Sequence, residues 1–188
     1  MFRFRYEHFF NNLPDGFPGV DHAARLVFEP HDLEAVHLCA FDARGELAAV
    51  STAVPATLKT IPPAWADWFD FAGLGSARLA KAVVSTRLVV HPSLRRTDFF
   101  ARFHGAVLAH YREAGIAFTL HYCRPELAAL YESLGHRRFH RAFDLLPGQP
   151  RVPMILALGE FIPGSEKYLT FAPGGGRRLA PPKAGPYL

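Results

Sequence analysis

The chain has 188 residues, 49% of them hydrophobic, which is enough apolar material for one domain with a substantial core and too much for a disordered polypeptide. Its formal charge of +4 suits an anionic partner, but the basic residues are scattered and no aromatic-basic module is visible, so nucleic-acid binding is disfavoured. Two cysteines, Cys39 and Cys123, fall in separate predicted strands without CxxC spacing; they read as buried thiols in a reducing compartment and exclude a disulfide framework. The stretch after Met1 lacks the long apolar region of a signal peptide, and no apolar run approaches the ~18 residues that cross a bilayer. No membrane span and a cytoplasmic location are therefore expected.

Phe2 to Leu13 carries apolar and aromatic residues at helical spacing and stops at Pro14-Asp15-Gly16, which predicts a short helix. His22 to His31 is ambiguous between a short strand and an irregular arm. From Ala35 to Asp42 the pattern is that of a strand, Ala43-Arg44-Gly45-Glu46 is a hairpin turn, and Leu47 to Val54 is its partner. Pro55 to Leu79, with Trp65, Trp68, Phe69 and Phe71, is too aromatic for a linker and reads as a tunnel wall, a lid or a cover for the sheet edge.

Lys81 to His91 is mainly β-branched and apolar, as a central strand buried on both faces should be. Asp98 is placed to cap a helix that runs to about Ala114 and ends at Gly115. Ile116 to Cys123 is the next strand, and Pro125 opens a helix that closes at Gly135. Phe139 to Leu145 and Val152 to Leu158 are the last two predicted strands. The expected organisation is one domain over residues 1–158 and a Gly/Pro-rich, extended tail over 159–188.

Ten histidines occur, but none shows HExxH or comparable paired spacing, so no metal site is expected. There is no GxSxG elbow and neither cysteine has a triad signal, so direct transfer without a covalent enzyme intermediate is preferred. His121 lies on a predicted strand and, as a neutral imidazole, is able to take a proton from an amine; an ordinary strand histidine is the plainer reading.

The segment Ser85-Thr86-Arg87-Leu88-Val89-Val90-His91-Pro92-Ser93-Leu94-Arg95, followed by Leu130-Tyr131-Glu132-Ser133-Leu134-Gly135-His136-Arg137-Arg138 and by Pro150-Arg151-Val152-Pro153-Met154, resembles the second half of the GCN5-related N-acetyltransferase superfamily. Its order looks most like the branch of acyl-homoserine-lactone synthases and long-chain N-acyl amino acid synthases. The resemblance implies a single α/β domain with a mixed, splayed β-sheet flanked by helices, although the superfamily's first strand is missing or supplied otherwise.

The resemblance also implies roles. The backbone of Val89 or Val90 would polarise the thioester carbonyl, and Tyr131 would protonate the departing thiolate. Arg95, Arg96, Thr97, Asp98 and Arg102 stand in the phosphate loop ahead of the helix, where family members place glycines; Asp98 and Phe100 occupy two of those positions, which disfavours the CoA pyrophosphate. A solvated surface is the plain reading of these arginines. Arg5 and Phe9 resemble an "R-x-x-x-F" helix and Asp32 an acceptor-side strand entry; an amphipathic helix and an ordinary strand explain them equally. Arg87 would face the substrate or the structure, with Val84 in place of the branch's glutamate, and Trp65 and Trp68 would line the acyl chain.

The leading expectation is transfer of a long-chain acyl group from an acyl carrier protein thioester to the amine of an amino acid or similar small molecule, with no permanently bound cofactor. A CoA-dependent N-acetyltransferase, and a non-catalytic module that binds an acyl carrier or protein partner, are the alternatives.

Overall fold

In the computed structural model, which describes residues 1–10 and 17–159, the chain builds a seven-stranded mixed sheet. Its central strands are β3 (Val36–Phe41), β4 (Leu47–Pro55), β5 (Ala82–Val90), β6 (Phe118–Cys123) and β9 (Pro150–Ala157), with the short β7 (Arg137–Arg138) and β8 (Phe143–Asp144) on the outer edge of β9. The β3–β4 hairpin turns where expected. Asp42 Oδ1 accepts the backbone N–H groups of Arg44 and Glu46 at 2.8 and 2.9 Å, and Gly45 takes the φ of +80° that closes the turn.

β5 and β6 are parallel, but only Ala82 to Val84 pair with Phe118 to Leu120. Beyond that point β5 stays with β4 as far as Val90 while β6 stays with β9 as far as Cys123, so the two central strands diverge.

Helix α5 (Phe99–Glu113) crosses one face, burying Phe103, Val107, Leu108 and Tyr111 at helical spacing against Ala49, Val83, Val90 and Leu156. The predicted start and end are within one residue of those observed, and Gly115 has the positive φ that follows a helix end. On the opposite face the aromatic insertion folds into three short helices, α2 (Ala64–Trp68), α3 (Phe71–Leu74) and α4 (Ser76–Leu79). Trp65, Phe69 and Leu74 are buried on Val54, Val84, Phe118 and Leu120, at ~1.5–3 kcal/mol of hydrophobic stabilisation for each such side chain. The insertion is therefore packed core rather than a lid.

The N-terminal residues form an arm. Helix α1 (Phe2–Arg5) runs into a π-helical turn over Tyr6–Phe10, and β1 (Val20–Asp21) pairs with β2 (Leu26–Val27) outside the main sheet. The predicted helix thus begins correctly but its α-helical part stops at Arg5, and its predicted end at Leu13 lies outside the described residues. Phe4, Tyr6, Phe17 and Val27 close over Val50, Val89 and Leu145, so the arm covers the far end of β5 where β6 has departed. Among the described residues nothing pairs with the outer edge of β3, and the superfamily's first strand has no counterpart there.

A buried polar network fastens the arm. Arg5, with no exposed side-chain surface, donates to Asp32 Oδ1 at 2.9 Å, to Thr52 Oγ1, and makes a 3.2 Å contact with His37 Nδ1. Asp32 Oδ2 accepts Glu29 N–H in the capping box of a 3-10 turn over Pro30–Leu33. His37 Nε2 lies 2.9 Å from the Asp32 carbonyl, which makes Nε2 the donor and leaves Nδ1 to accept.

Three expectations are corrected. The strand predicted over Phe139–Leu145 is reduced to β8, and β7 forms earlier, because Pro153 offers no N–H to a continuous ladder along that edge of β9. The helix predicted from Pro125 begins as a 3-10 turn over Pro125–Leu127 and becomes α6 only at Ala128–Ser133. Cys39 is exposed on edge strand β3, whereas Cys123 is buried as expected. The predicted tail falls almost wholly outside the described residues.

Candidate active site

The site begins with a backbone irregularity in β5. Val50 pairs with Val89 and Thr52 with Thr86, so Arg87 and Leu88 together oppose the single residue Ser51, a β-bulge. Arg87 sits at φ +54°, a left-handed conformation uncommon for a long side chain. The bulge turns its side chain toward the arm, where Nη2 donates to the Pro18 carbonyl at 3.0 Å and to Glu29 Oε2. Burial lowers its pKa to about 10, so it remains a cation at neutral pH. Gly19 serves the same contact: it has φ +75°, and a Cβ there would lie 2.6 Å from Glu29 Cγ.

Where β5 and β6 part, a cavity of about 380 Å³ opens. Its walls come from both faces of the sheet. Ser85, Thr119, His121 and Cys123 line it with His104 of α5, Tyr131 of α6 and His136, while Phe9, Phe17, Arg87, Tyr122 and Leu145 belong to the arm side. Successive side chains of a strand point to opposite faces, so a cavity touching both His121 and Tyr122 passes through the sheet between the diverging strands. Arg124 and Arg151 also line it, and among the described residues no Asp or Glu does so.

The two sides differ in chemistry. On the arm side the wall is aromatic and aliphatic apart from its arginines. On the α5 side lies a buried cluster of neutral polar rings. His104 Nε2 is 3.3 Å from His136 Nε2, and His121 packs at 4.3 Å from the Tyr131 ring and 4.5 Å from the His136 ring, centroid to centroid. Desolvation lowers the pKa of His104 to about 4 and of His121 to about 3, and drives His136 still lower with help from the other two imidazoles. Tyr131 is partly exposed on the cavity wall, and desolvation pushes its phenol well above the ordinary tyrosine value. At neutral pH the cluster holds three uncharged imidazoles and one phenol. Four buried polar atoms of this wall, His104 Nδ1, Thr119 Oγ1, His121 Nε2 and His136 Nδ1, have no hydrogen-bond partner.

Of the residues expected from sequence, Tyr131, His121, Val89, Arg87 and Phe9 share the cavity wall. Val90 packs instead in the α5 cluster. His91 N–H donates to the Ala48 carbonyl on β4, so by alternation Val90 N–H is directed away from β4 and Val89 N–H toward it. Arg5 and Asp32 form the arm network behind the wall. Trp65 is core, and Trp68 stacks on Phe143 at 4.2 Å and meets the edge of Tyr122, one layer back from the cavity.

The predicted phosphate loop is rearranged. Arg95 turns inward, donating to the Val90 carbonyl at 3.0 Å and to the His8 carbonyl, so its guanidinium ties the arm to the end of β5. Asp98 occupies the N-cap position of α5 but makes no side-chain capping bond; Thr97 Oγ1 accepts Phe99 N–H at 3.2 Å instead. Asp98 is exposed and faces Arg102 at 3.7 Å, and Arg96 is exposed with φ +68°. Phe100 lies parallel to His104 with centroids 5.7 Å apart, extending the ring cluster to the start of the helix.

Sequence reasoning missed His104 and His136. Their signal was present: His104 sits on the buried stripe of α5 between Phe103 and Val107, where an apolar residue is the norm, and His136 follows the Gly135 that ends α6. Among the described residues no group of three His, Cys, Asp or Glu is arranged to hold a metal ion, and no helix is long and apolar enough to cross a membrane.

No family model matches the sequence, and no curated protein matches it. Solved structures do. The CoA-dependent acyl-homoserine lactone synthase MesI is 21% identical, with 84% of this chain and 79% of that chain covered at a TM-score of 0.66. The CoA-dependent acyl-homoserine lactone synthase BjaI, with SAM and isopentyl-CoA, is 15% identical over 84% of this chain and 74% of its own, at a TM-score of 0.67. FeeM, an N-acyl amino acid synthase from uncultured soil microbes, is 15% identical over 74% of this chain and 80% of its own, at 0.55. At the level of the overall fold the chain matches these proteins, and its mixed seven-stranded sheet flanked by helices is the GCN5-related N-acetyltransferase fold.

Proposed function

We propose that the protein is an N-acyltransferase that moves a long-chain acyl group from a carrier-protein thioester to the amine of an amino acid or similar small molecule. The observation that supports this best is the cavity that passes between β5 and β6, with a phenol and uncharged imidazoles on one side and an apolar wall on the other. The thioester sulfur belongs on the polar side, where Tyr131 meets it. The acyl chain belongs on the arm side against Phe9, Phe17 and Leu145, where each buried methylene contributes ~0.8 kcal/mol. On the wall Arg87 is paired with Glu29 and Arg124 with Glu126, while Arg151, bonded to Pro150 and Gln149 oxygens, favours an acceptor that carries an anion. The N–H of Val90, directed away from β4, is the candidate to polarise the carbonyl.

Tyr131→Phe should lower kcat about tenfold or more with the fold intact, if the hydroxyl protonates the thiolate. Unchanged turnover in a folded variant returns Tyr131 to packing. Free-thiol release from the acyl donor in the presence of an amino-acid mixture measures it.

The donor is argued from the helix start, where Asp98 places a negative charge and Phe100 a bulky ring, both unfavourable to a pyrophosphate. A carrier protein presents a single phosphate, within reach of the exposed Arg96 and Arg102. Acyl carrier protein should therefore give the higher kcat/KM when compared with the matching acyl-CoA. The alternative is acyl-CoA, which the CoA-dependence of MesI and BjaI favours. Equal or better rates with CoA decide for it.

A further inference from the structure

The cavity wall poses a problem for two-step acid–base chemistry. His121 and Tyr131 are both desolvated, so an isolated imidazolium or an isolated phenolate in this chamber is costly. Their rings are in contact at 4.3 Å, and His121 Nε2 is buried without a hydrogen-bond partner. His136 stands edge-on to both, at 85° to the His121 ring and 82° to the Tyr131 ring, and its backbone N–H donates to the Tyr131 carbonyl at 3.0 Å. His104 holds His136 from behind through the 3.3 Å contact between their Nε2 atoms. Two neutral imidazoles joined in this way must be opposite tautomers, one donating and one accepting. The arrangement has a fixed sense.

We infer that His121 and Tyr131 act as one proton-shuttling pair, with His136 and His104 as the positioning residues that hold it, an inference that rests on the acyltransferase reading above. As the amine attacks, the C–N bond forms and one amine proton passes to His121 Nε2. The C–S bond breaks and the Tyr131 phenol proton passes to sulfur. The imidazolium proton then returns to the phenolate through water in the cavity, since His121 Nε2 makes no direct hydrogen bond to Tyr131, and this restores both residues and leaves amide and free thiol as products. No step leaves a lone charge in the chamber.

The test uses the full chain with decanoyl carrier protein and an amino-acid mixture, following thiol release. His121→Gln and Tyr131→Phe should each lower kcat about tenfold or more, and the double variant should fall no more than about threefold below the worse single one, because a pair that works as a unit is lost with either member. Multiplying effects would overturn the inference. His136→Phe should lower kcat about tenfold with KM within about twofold, and His136→Gln, which restores a polar atom near Nε2, should recover part of it. A solvent-isotope proton inventory should be curved in the wild type, reporting two protons in flight, and linear in His136→Phe; a linear wild-type inventory overturns the shuttle. Nitrogen NMR of the imidazoles gives a readout that does not depend on turnover. His104 and His136 should appear as opposite neutral tautomers at neutral pH, and His136→Gln should change the state of His121. Wild-type protein with no amine-dependent thiol release would sink the acyltransferase reading and the shuttle with it, while matching tautomers, or a His121 indifferent to His136, would sink the positioning role alone.

Discussion

Stability should fall steeply as the pH drops from about 6.5 toward 5, above the range in which ordinary carboxylates protonate. The cause is the ring cluster. His104 holds a pKa of about 4 and His121 about 3 in the folded protein, with His136 lower still, against an unfolded value of 6.5 for each. A base whose folded pKa is depressed binds fewer protons folded than unfolded, so its stabilising effect is fully present above the unfolded pKa and is lost as the pH falls through the window. With three such groups the slope approaches roughly 4 kcal/mol per pH unit. A domain with ~5–15 kcal/mol in total would be unfolded by about pH 4–5. Urea unfolding at about pH 7.5, 6 and 5 measures it. His136→Gln should flatten the slope by about one third, since it removes one of three titrating groups. Stability that does not change over that range would mean that the imidazoles are not held neutral by the fold.

The other large effect is expected at Arg5. Arg5→Ala leaves Asp32, whose side chain has no exposed surface, as an unpaired buried carboxylate, and it removes donors from Thr52 and His37. Breaking a buried pair from one side costs about 3–5 kcal/mol. The loss should appear as a lower urea midpoint and as early release of the arm, detected by proteolysis within residues 1–10. The double variant Arg5→Met with Asp32→Leu should recover much of the stability, because no charge is then left buried. A folded, equally stable Arg5→Ala protein would show that the arm is held by Phe4 and Tyr6 packing alone.

The main strands and the long helix were legible in the sequence because local patterning decides them. β4 and β5 are rich in Val and Ala and largely buried on both faces, the β3–β4 turn has Asp42 and Gly45 at the positions a tight turn requires, and α5 carries a buried stripe bounded by Gly115. Tyr131, His121, Arg87 and Val89 were also placed at one site, because their elements follow each other in a recognisable order. The loop before α5 was misjudged in detail. A cap at Asp98 is the sequence expectation, yet Thr97 reaches the free N–H first, and Arg95 is drawn to the carbonyls of Val90 and His8 by an arm 87 residues away in the chain.

By itself, then, the sequence determined the strands, the crossover helix and the order in which they come, since each depends on residues within a few positions of one another. Only the tertiary structure decided where the cavity opens, that it passes through the sheet, and that His104, His121, Tyr131 and His136 meet there. Those four residues come from a helix, a strand, a second helix and the turn after it, and the contact between His104 and His136 joins positions 32 residues apart in the chain. No periodicity carries that information. The unpaired edges beyond Val84 follow from which strand each partner continues to pair with, and that is settled by the packing of the whole sheet.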